Sequence, residues 1–159
     1  MVSGKMKVLI VYDTVSEAKV TGKVADAVTV AMRETGASVE AYFVEDAGKM
    51  NVKDFDCLIV GAPTMAWRPS KRMKGFLASL KGTDFSGKSA TSFDTQMKSS
   101  LSGNATKHMD KELIGLGFRL VSPALVAYVE SKDRMYMLMD GELEKAKAWG
   151  REVAKALAK

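Results

Sequence analysis

The feature that most constrains the fold is a short apolar run near the N-terminus that ends at a hydroxyl-rich loop. The run covers residues 8–12, the loop contains Thr14, Ser16 and Thr21, and a helical pattern begins at once. The order is therefore a buried strand, a polar loop and a helix N-terminus. Backbone N–H groups and the positive end of the helix dipole meet at such a place. The segment predicts a binding site for an anionic group such as a phosphate.

Strand and helix patterns alternate along the rest of the chain. Five strands are predicted, at residues 8–12, 39–44, 57–62, 89–93 and 118–129. The first and third are continuous apolar runs, typical of central parallel strands covered on both faces, whereas the second interleaves polar residues and is expected at an edge. Helical spacing follows all but the second strand, and residues 45–55 predict at most a short helix. The pattern predicts an α/β fold with a doubly wound parallel sheet, in one domain spanning 1–159.

Composition narrows the setting and the possible chemistry. No run approaches the roughly 18 apolar residues of a membrane span, and the N-terminal segment is interpreted as a strand rather than a signal peptide. The single cysteine, Cys57, excludes an internal disulfide and is expected in the core, so a reducing, cytoplasmic setting is predicted. His108 is the only histidine, which argues against a Ser-His-Asp triad or a histidine-rich metal site.

Two further patterns leave alternatives open. The net charge of +5 favours an anionic partner, and a denser group of cations, here called the basic patch, consists of Arg68, Lys71, Arg72 and Lys74. A solvated helix face is the simpler interpretation of this patch. Residues 135–139 read Met-Tyr-Met-Leu-Met, which suits a strand extension or a partner-facing surface. Core packing is the favoured interpretation of that run.

Ligands of open parallel sheets bind beyond the carboxyl ends of the strands. Three predicted loops lie at that edge, at residues 13–21, 63–69 and 94–103, and all are rich in hydroxyl, aromatic or amide groups. No glycine-rich dinucleotide motif follows a strand and no P-loop motif occurs, so neither class of nucleotide site is indicated.

Four segments, taken in order, resemble the flavodoxin family. They are VLIVYDT with Ser16 and Thr21, DCLIVGAPT followed by WRP, GK leading to FDTQ and LSGNA, and DGELE followed by Trp149-Gly150. The likeness is greater to flavodoxin-like proteins whose first loop begins Tyr-Asp-Thr. It implies a three-layer fold with a five-stranded parallel sheet in the order 2-1-3-4-5, and one noncovalent FMN. The first loop would wrap the phosphate, and the second and third would flank the isoalloxazine ring.

The resemblance implies a set of cofactor-binding residues in these loops. They are Thr14, Val15, Ser16, Lys19 and Thr21 in the first loop, Pro63, Thr64, Met65, Ala66 and Trp67 in the second, and Asp94, Thr95 and Gln96 in the third. Simpler roles remain open for three of them. Thr21 could cap the helix, Trp67 could cover the core, and Asp94 could brace its loop. The first loop is atypical, because Glu17-Ala18-Lys19 stands where the family usually has Gly-Asn, and glycine permits a positive φ.

The leading hypothesis is an FMN-binding protein that carries electrons between redox partners. The expected partner is another redox protein, for example an acidic, ferredoxin-like one steered by the basic patch. An FMN-dependent NAD(P)H or quinone reductase is the first alternative. A flavodoxin-like domain that has lost FMN and acts in interaction or regulation is the second. No catalytic residue, metal site, nucleic acid or membrane partner is predicted.

Overall fold

A computed structural model describes residues 5–15, 19–65, 68–98 and 104–159. Within these ranges the strands are β1 (Lys7–Tyr12), β2 (Ser38–Phe43), β3 (Cys57–Met65), β4 (Arg68–Pro69), β5 (Ser89–Met97), β6 (Arg119–Leu120), β7 (Leu125–Lys132) and β8 (Met135–Leu138). The α-helices are α1 (Val20–Glu34), α2 (Lys71–Ser79), α3 (Ala105–Gly115) and α4 (Glu142–Leu157). Two short 3-10 helices, Val44–Lys49 and Val52–Asp54, occupy the weakly patterned segment after β2.

The five long parallel strands lie side by side in the order β2-β1-β3-β5-β7. This arrangement confirms the predicted α/β class and the edge position of β2. Chain connections run to opposite sides of β1, towards β2 and towards β3, so the sheet has a switch point there. Ligand sites of open α/β sheets form beyond the strand carboxyl ends at such a point.

Helices cover both faces of the sheet. As a result, alternate side chains of β1 are buried in two separate cores. Leu9 and Val11 belong to the core under α2 and α3. Val8 and Ile10 belong to the core under α1 and α4. All four side chains are fully buried. The continuous apolar run in the sequence therefore reflects burial on both faces, as expected for a central parallel strand.

Three short strands join the five long parallel ones: β4 pairs with β3, β6 pairs with β5, and β8 pairs with β7 at the sheet edge. The single strand predicted over residues 118–129 is wrong: β6 and β7 are separated by residues 121–124, which include Pro123. Proline has no N–H to donate to a strand ladder, so it interrupts the pairing. Both short strands still pair with β5 in the parallel direction.

The favoured core role of residues 135–139 is wrong for the first three of them, while Leu138 packs against the core under α1 and α4. β8 runs antiparallel to β7, and Met135, Tyr136 and Met137 are exposed. The two strands are joined by Asp133 and Arg134, which both have positive φ angles. Two such residues form the tight turn whose twist suits a β-hairpin. The chain therefore doubles back along the sheet edge instead of entering the core.

Two residues of β3 fit their surroundings very closely. Cys57 is 1% exposed, which confirms its predicted core position, and burial raises the pKa of its thiol to about 12.

Gly61 lies against Phe93 of β5: a Cβ on Gly61 would stand 2.0 Å from Phe93 Cζ. Within the described ranges, no helix is long and apolar enough to cross a bilayer.

Candidate functional site

A cavity of about 420 Å³ opens at the carboxyl edge of the sheet, where β1, β3 and β5 end. This volume falls in the range of small-molecule sites, about 300–1,000 Å³. All three predicted loops contribute to its lining, through Val15, Thr21, Pro63, Thr64, Thr95 and Gln96. The structure thus brings six of the predicted binding residues together around one space.

Four further residues line the same cavity and were not predicted from the sequence: Val20, Met97, Val129 and Tyr136. Val129 and Tyr136 come from the β7–β8 hairpin, which lies beyond the three predicted loops. Tyr136 is the aromatic side chain that the described part of the chain contributes to this lining, and it is 50% exposed. The Met-rich run at residues 135–139 was the sequence signal for this strand. Its periodicity does not show that the strand pairs antiparallel with β7 and so reaches the cavity.

The first loop leads into α1 with a left-handed residue. Lys19 is the N-cap of α1 and has a φ of 52°, with no hydrogen bond from its side chain to the helix. A residue with a Cβ adopts this conformation at a cost of about 1–2 kcal/mol. The positive φ that glycine would favour is therefore present, although the sequence has lysine there.

The N–H groups of the first turn of α1 face this loop. The helix ladder starts with Lys23 N donating to Lys19 O at 3.0 Å, so the N–H groups of residues 20–22 stand outside it. Thr14 Oγ1 is buried and has no hydrogen-bond partner among the described residues. A buried hydroxyl without a partner among the described residues, in the loop that leads into a helix N-terminus, can donate a hydrogen bond to an anionic ligand.

Thr21 is not the helix cap, which corrects one of its two predicted roles. It lies inside the first turn of α1, and its side chain is turned towards β5. Thr21 Oγ1 and Thr95 Oγ1 are 2.7 Å apart and share a hydrogen bond. This bond ties the first loop to the third at the lining of the cavity.

Asp94 joins the second loop, the third loop and α3. Its Oδ2 accepts hydrogen bonds from Thr64 Oγ1 at 2.9 Å and from Gln96 Nε2 at 2.9 Å. The same oxygen accepts from Ala105 N, at the start of α3, at 3.1 Å. Burial raises the pKa of Asp94 to about 6, although these hydrogen bonds oppose the shift. Asp94 therefore braces the cavity and holds a carboxyl group that titrates near neutrality.

The second loop begins as a hairpin in which β3 pairs antiparallel with β4. Thr64 is opposite Pro69, and Met65 is opposite Arg68. The predicted contacts of Ser16, Ala66 and Trp67 lie outside the described residues.

The fold is similar to those of several solved structures. Oxidised flavodoxin 1 from Bacillus cereus matches with a TM-score of 0.78 and 21% identity, over 94% of this chain and 97% of that one. A flavodoxin from the domain Archaea matches with a TM-score of 0.78 and 19% identity, over 97% of this chain and 100% of that one. This chain has a flavodoxin-like fold.

The same flavodoxin-like fold also occurs as part of longer proteins. Rubredoxin oxygen:oxidoreductase from Desulfovibrio gigas matches with a TM-score of 0.76 and 23% identity. The match covers 97% of this chain but 37% of the longer protein. No protein-family model matches the sequence, and no curated protein does.

One cation of the basic patch is engaged at the first loop of this flavodoxin-like fold. Arg72 Nη2 lies 2.8 Å from Asp13 Oδ1, and Arg72 Nε donates to Asp13 Oδ2 at 3.2 Å. Asp13 directly follows β1, and its side chain is 1% exposed. Arg72 Nη1 also donates to Glu45 Oε1 at 3.1 Å. The basic patch is therefore only partly a solvated helix face.

Proposed function

We propose that this chain binds one FMN in the cavity at the carboxyl edge of its sheet and carries electrons between redox partners. The observation that carries the proposal is the convergence of all three loops on one cavity of suitable size. These are the loops that surround FMN in the family that the sequence resembles. The flavodoxin-like fold supports the same assignment.

The first loop suits the phosphate of FMN. The buried Thr14 hydroxyl has no partner within the described part of the chain, and a phosphate oxygen would satisfy it. The N–H groups of residues 20–22, which stand outside the helix ladder, would add charge-assisted hydrogen bonds, and the positive end of the α1 dipole would favour the anion. Lys19 and Ser16 are further candidates for phosphate contacts.

The ring end of the cofactor would lie between the second and third loops. Pro63, Thr95 and Met97 line that part of the cavity, and Tyr136 could stack on the ring from the β7–β8 hairpin. Met65, Ala66, Trp67 and Asp94 remain predicted members of the site. The flavin supplies the electron chemistry, while these residues bind it, orient it and limit its contact with water.

The mouth of the cavity suits contact with a second redox protein. Val15, Met97 and Tyr136 are exposed apolar side chains that also line the cavity. Exposed apolar groups of this kind are common in protein interaction sites. An acidic, ferredoxin-like partner attracted by the basic patch would fit the net charge of +5. A cytoplasmic location is part of this proposal, because it suits a chain with one buried, free cysteine.

Titration with FMN tests the proposal. The purified protein should quench flavin fluorescence with a dissociation constant in the micromolar range or below, and no binding at micromolar FMN would contradict it. Thr14→Val should weaken binding of FMN more than binding of riboflavin, which lacks the phosphate. Thr83→Val is a matched control at an exposed position and should change neither affinity. Rapid turnover of NADPH by the FMN-loaded protein would favour the reductase alternative.

A further inference from the structure

We propose that Arg72 is a positioning residue that neutralises the buried Asp13 carboxylate and thereby makes the first loop acceptable to a phosphate dianion. The inference rests on the proposed function and assigns a role that the sequence did not suggest for Arg72. Its basis is a cluster of four side chains behind the loop: Asp13, Arg72, Phe43 and Glu45.

Arg72 holds the start of the first loop with three contacts. One is a hydrogen bond from Nε to Asp13 Oδ2 at 3.2 Å, and the second is an ion-pair contact of 2.8 Å between Nη2 and Asp13 Oδ1, an oxygen without a hydrogen bond among the described residues. In the third, Nη2 donates to the backbone carbonyl of Thr14 at 3.4 Å. A planar guanidinium makes such a two-pronged contact, whereas a lysine ammonium acts as a single point charge. The arrangement fixes both the side chain before Thr14 and the backbone of Thr14 itself.

The guanidinium is in turn held from the opposite side. Its carbon lies 5.1 Å from the centre of the Phe43 ring, at the end of β2, within cation–π distance. Glu45 Oε1 accepts a hydrogen bond from Nη1 at 3.1 Å. These contacts restrict Arg72 although its side chain is 42% exposed. A residue anchored on α2 therefore connects the end of β2 with the loop after β1.

The backbone of Asp13 is held in place independently of Arg72. Asp13 N donates to Gly61 O at 3.0 Å, which extends the pairing of β1 with β3. The side chain is buried, so water does not screen its charge well. An uncompensated carboxylate would then stand beside the residues proposed to receive a phosphate of charge −1.5 to −2 at neutral pH. Arg72 removes that repulsion without contacting the phosphate.

The test compares FMN with riboflavin, because only FMN has the phosphate. The ratio of their dissociation constants is measured by fluorescence for wild type, Arg72→Met and Lys71→Met. Arg72→Met should shift the ratio against FMN by about tenfold, the size expected for one unit charge acting over about 12 Å at an effective dielectric constant of about 20. Lys71→Met is the matched control, because it removes one positive charge from the exposed neighbouring position on α2. It should change the ratio less than twofold.

A second variant separates charge compensation from a direct contact. Arg72→Met combined with Asp13→Asn removes both charges and should restore the ratio to near the wild-type value. If Arg72 instead contacted the phosphate, the double variant would remain as defective as the single one, and the inference would be overturned. Arg72→Lys keeps the charge but loses the two-pronged contact, and should give an intermediate ratio. This conservative variant also carries the test if Arg72→Met does not fold.

The outcomes distinguish this inference from the proposed function. Wild type that binds no FMN contradicts the proposed function and the inference with it. Wild type that binds FMN, with an unchanged ratio in Arg72→Met and Arg72→Lys, contradicts the inference alone. An equal loss of FMN and riboflavin binding would show that Arg72 acts on the fold rather than on the phosphate end of the site, and would also overturn it.

Discussion

Replacing Gly61 by alanine should destabilise the protein strongly, because Phe93 occupies the space that the new methyl group needs. The added Cβ would lie 2.0, 2.2 and 2.5 Å from three atoms of the Phe93 ring. Real Cβ atoms do not approach other carbons so closely, so the ring or the strand has to shift. The ring is fully buried and packs edge-to-face on Trp149 with a centroid distance of 6.2 Å, which leaves it little freedom.

The size of the effect follows from measured costs of overpacking. Such substitutions typically cost about 1–3 kcal/mol, and contact with three rigid ring atoms places Gly61→Ala at about 3 kcal/mol. For a chain of this length, 1 kcal/mol corresponds to about 2–4 °C in the midpoint of thermal unfolding. The Tm should therefore fall by about 6–12 °C. Circular dichroism, with urea unfolding to obtain the free energy, measures both quantities.

Two further variants test the reasoning behind this prediction. Gly75→Ala places the same methyl group on an exposed position of α2, with nothing within 4 Å, and should raise stability by about 1 kcal/mol through helix propensity. Phe93→Leu removes the ring, so the double variant with Gly61→Ala should be more stable than the sum of the single effects predicts. A Tm change below 2 °C in Gly61→Ala, or strict additivity in the double variant, would refute the proposed clash.

Three other predictions concern the site. The folded-state pKa of Asp94, about 6, lies above its ordinary value of 3.8, so its contribution to stability is present below pH 3.8 and is lost as the pH rises through 6. Urea titrations at several pH values measure the difference in unfolding free energy between wild type and Asp94→Asn. As the pH rises from about 4.5 to 7, the stability of wild type relative to the variant should fall by about 2 kcal/mol, and a constant difference would contradict this. Tyr136→Leu should weaken FMN binding about three- to tenfold in fluorescence titrations while leaving the Tm almost unchanged, because stacking contributes about 0.5–1.5 kcal/mol; an unaltered affinity would remove Tyr136 from the ring site. Lys19→Gly should raise the unfolding free energy by about 0.5–1 kcal/mol, since glycine adopts a positive φ without strain, and urea unfolding showing a loss would contradict the left-handed conformation.

The central strands could be predicted because their pattern depends on burial alone. Residues 8–11 face two cores in alternation, and a continuous run of four apolar residues indicates burial on both faces. The loop positions followed from the rule that parallel strands present their carboxyl ends at one edge. Six predicted binding residues accordingly line one cavity.

The features that the sequence did not predict depend on contacts between distant parts of the chain rather than on local pattern. β8 carries an apolar run, yet Met135 and Met137 are exposed, because the strand lies at the sheet edge. Periodicity gives no information on pairing direction, so the contribution of Tyr136 to the cavity could not be derived. The ion pair of Arg72 with Asp13 joins residues 59 positions apart. The clustered charges of the basic patch suggested a solvated helix face. Only the tertiary structure shows that Arg72 is paired with a buried carboxylate.

The burial of Cys57 has a practical consequence for the study of this protein. A thiol whose pKa is raised to about 12, and which is 1% exposed, offers almost no thiolate to alkylating reagents near neutral pH. A cysteine introduced at an exposed position such as Val15 should therefore be modified selectively in the natural background. Spin labels or fluorophores attached there would report on the mouth of the cavity without prior removal of the native cysteine.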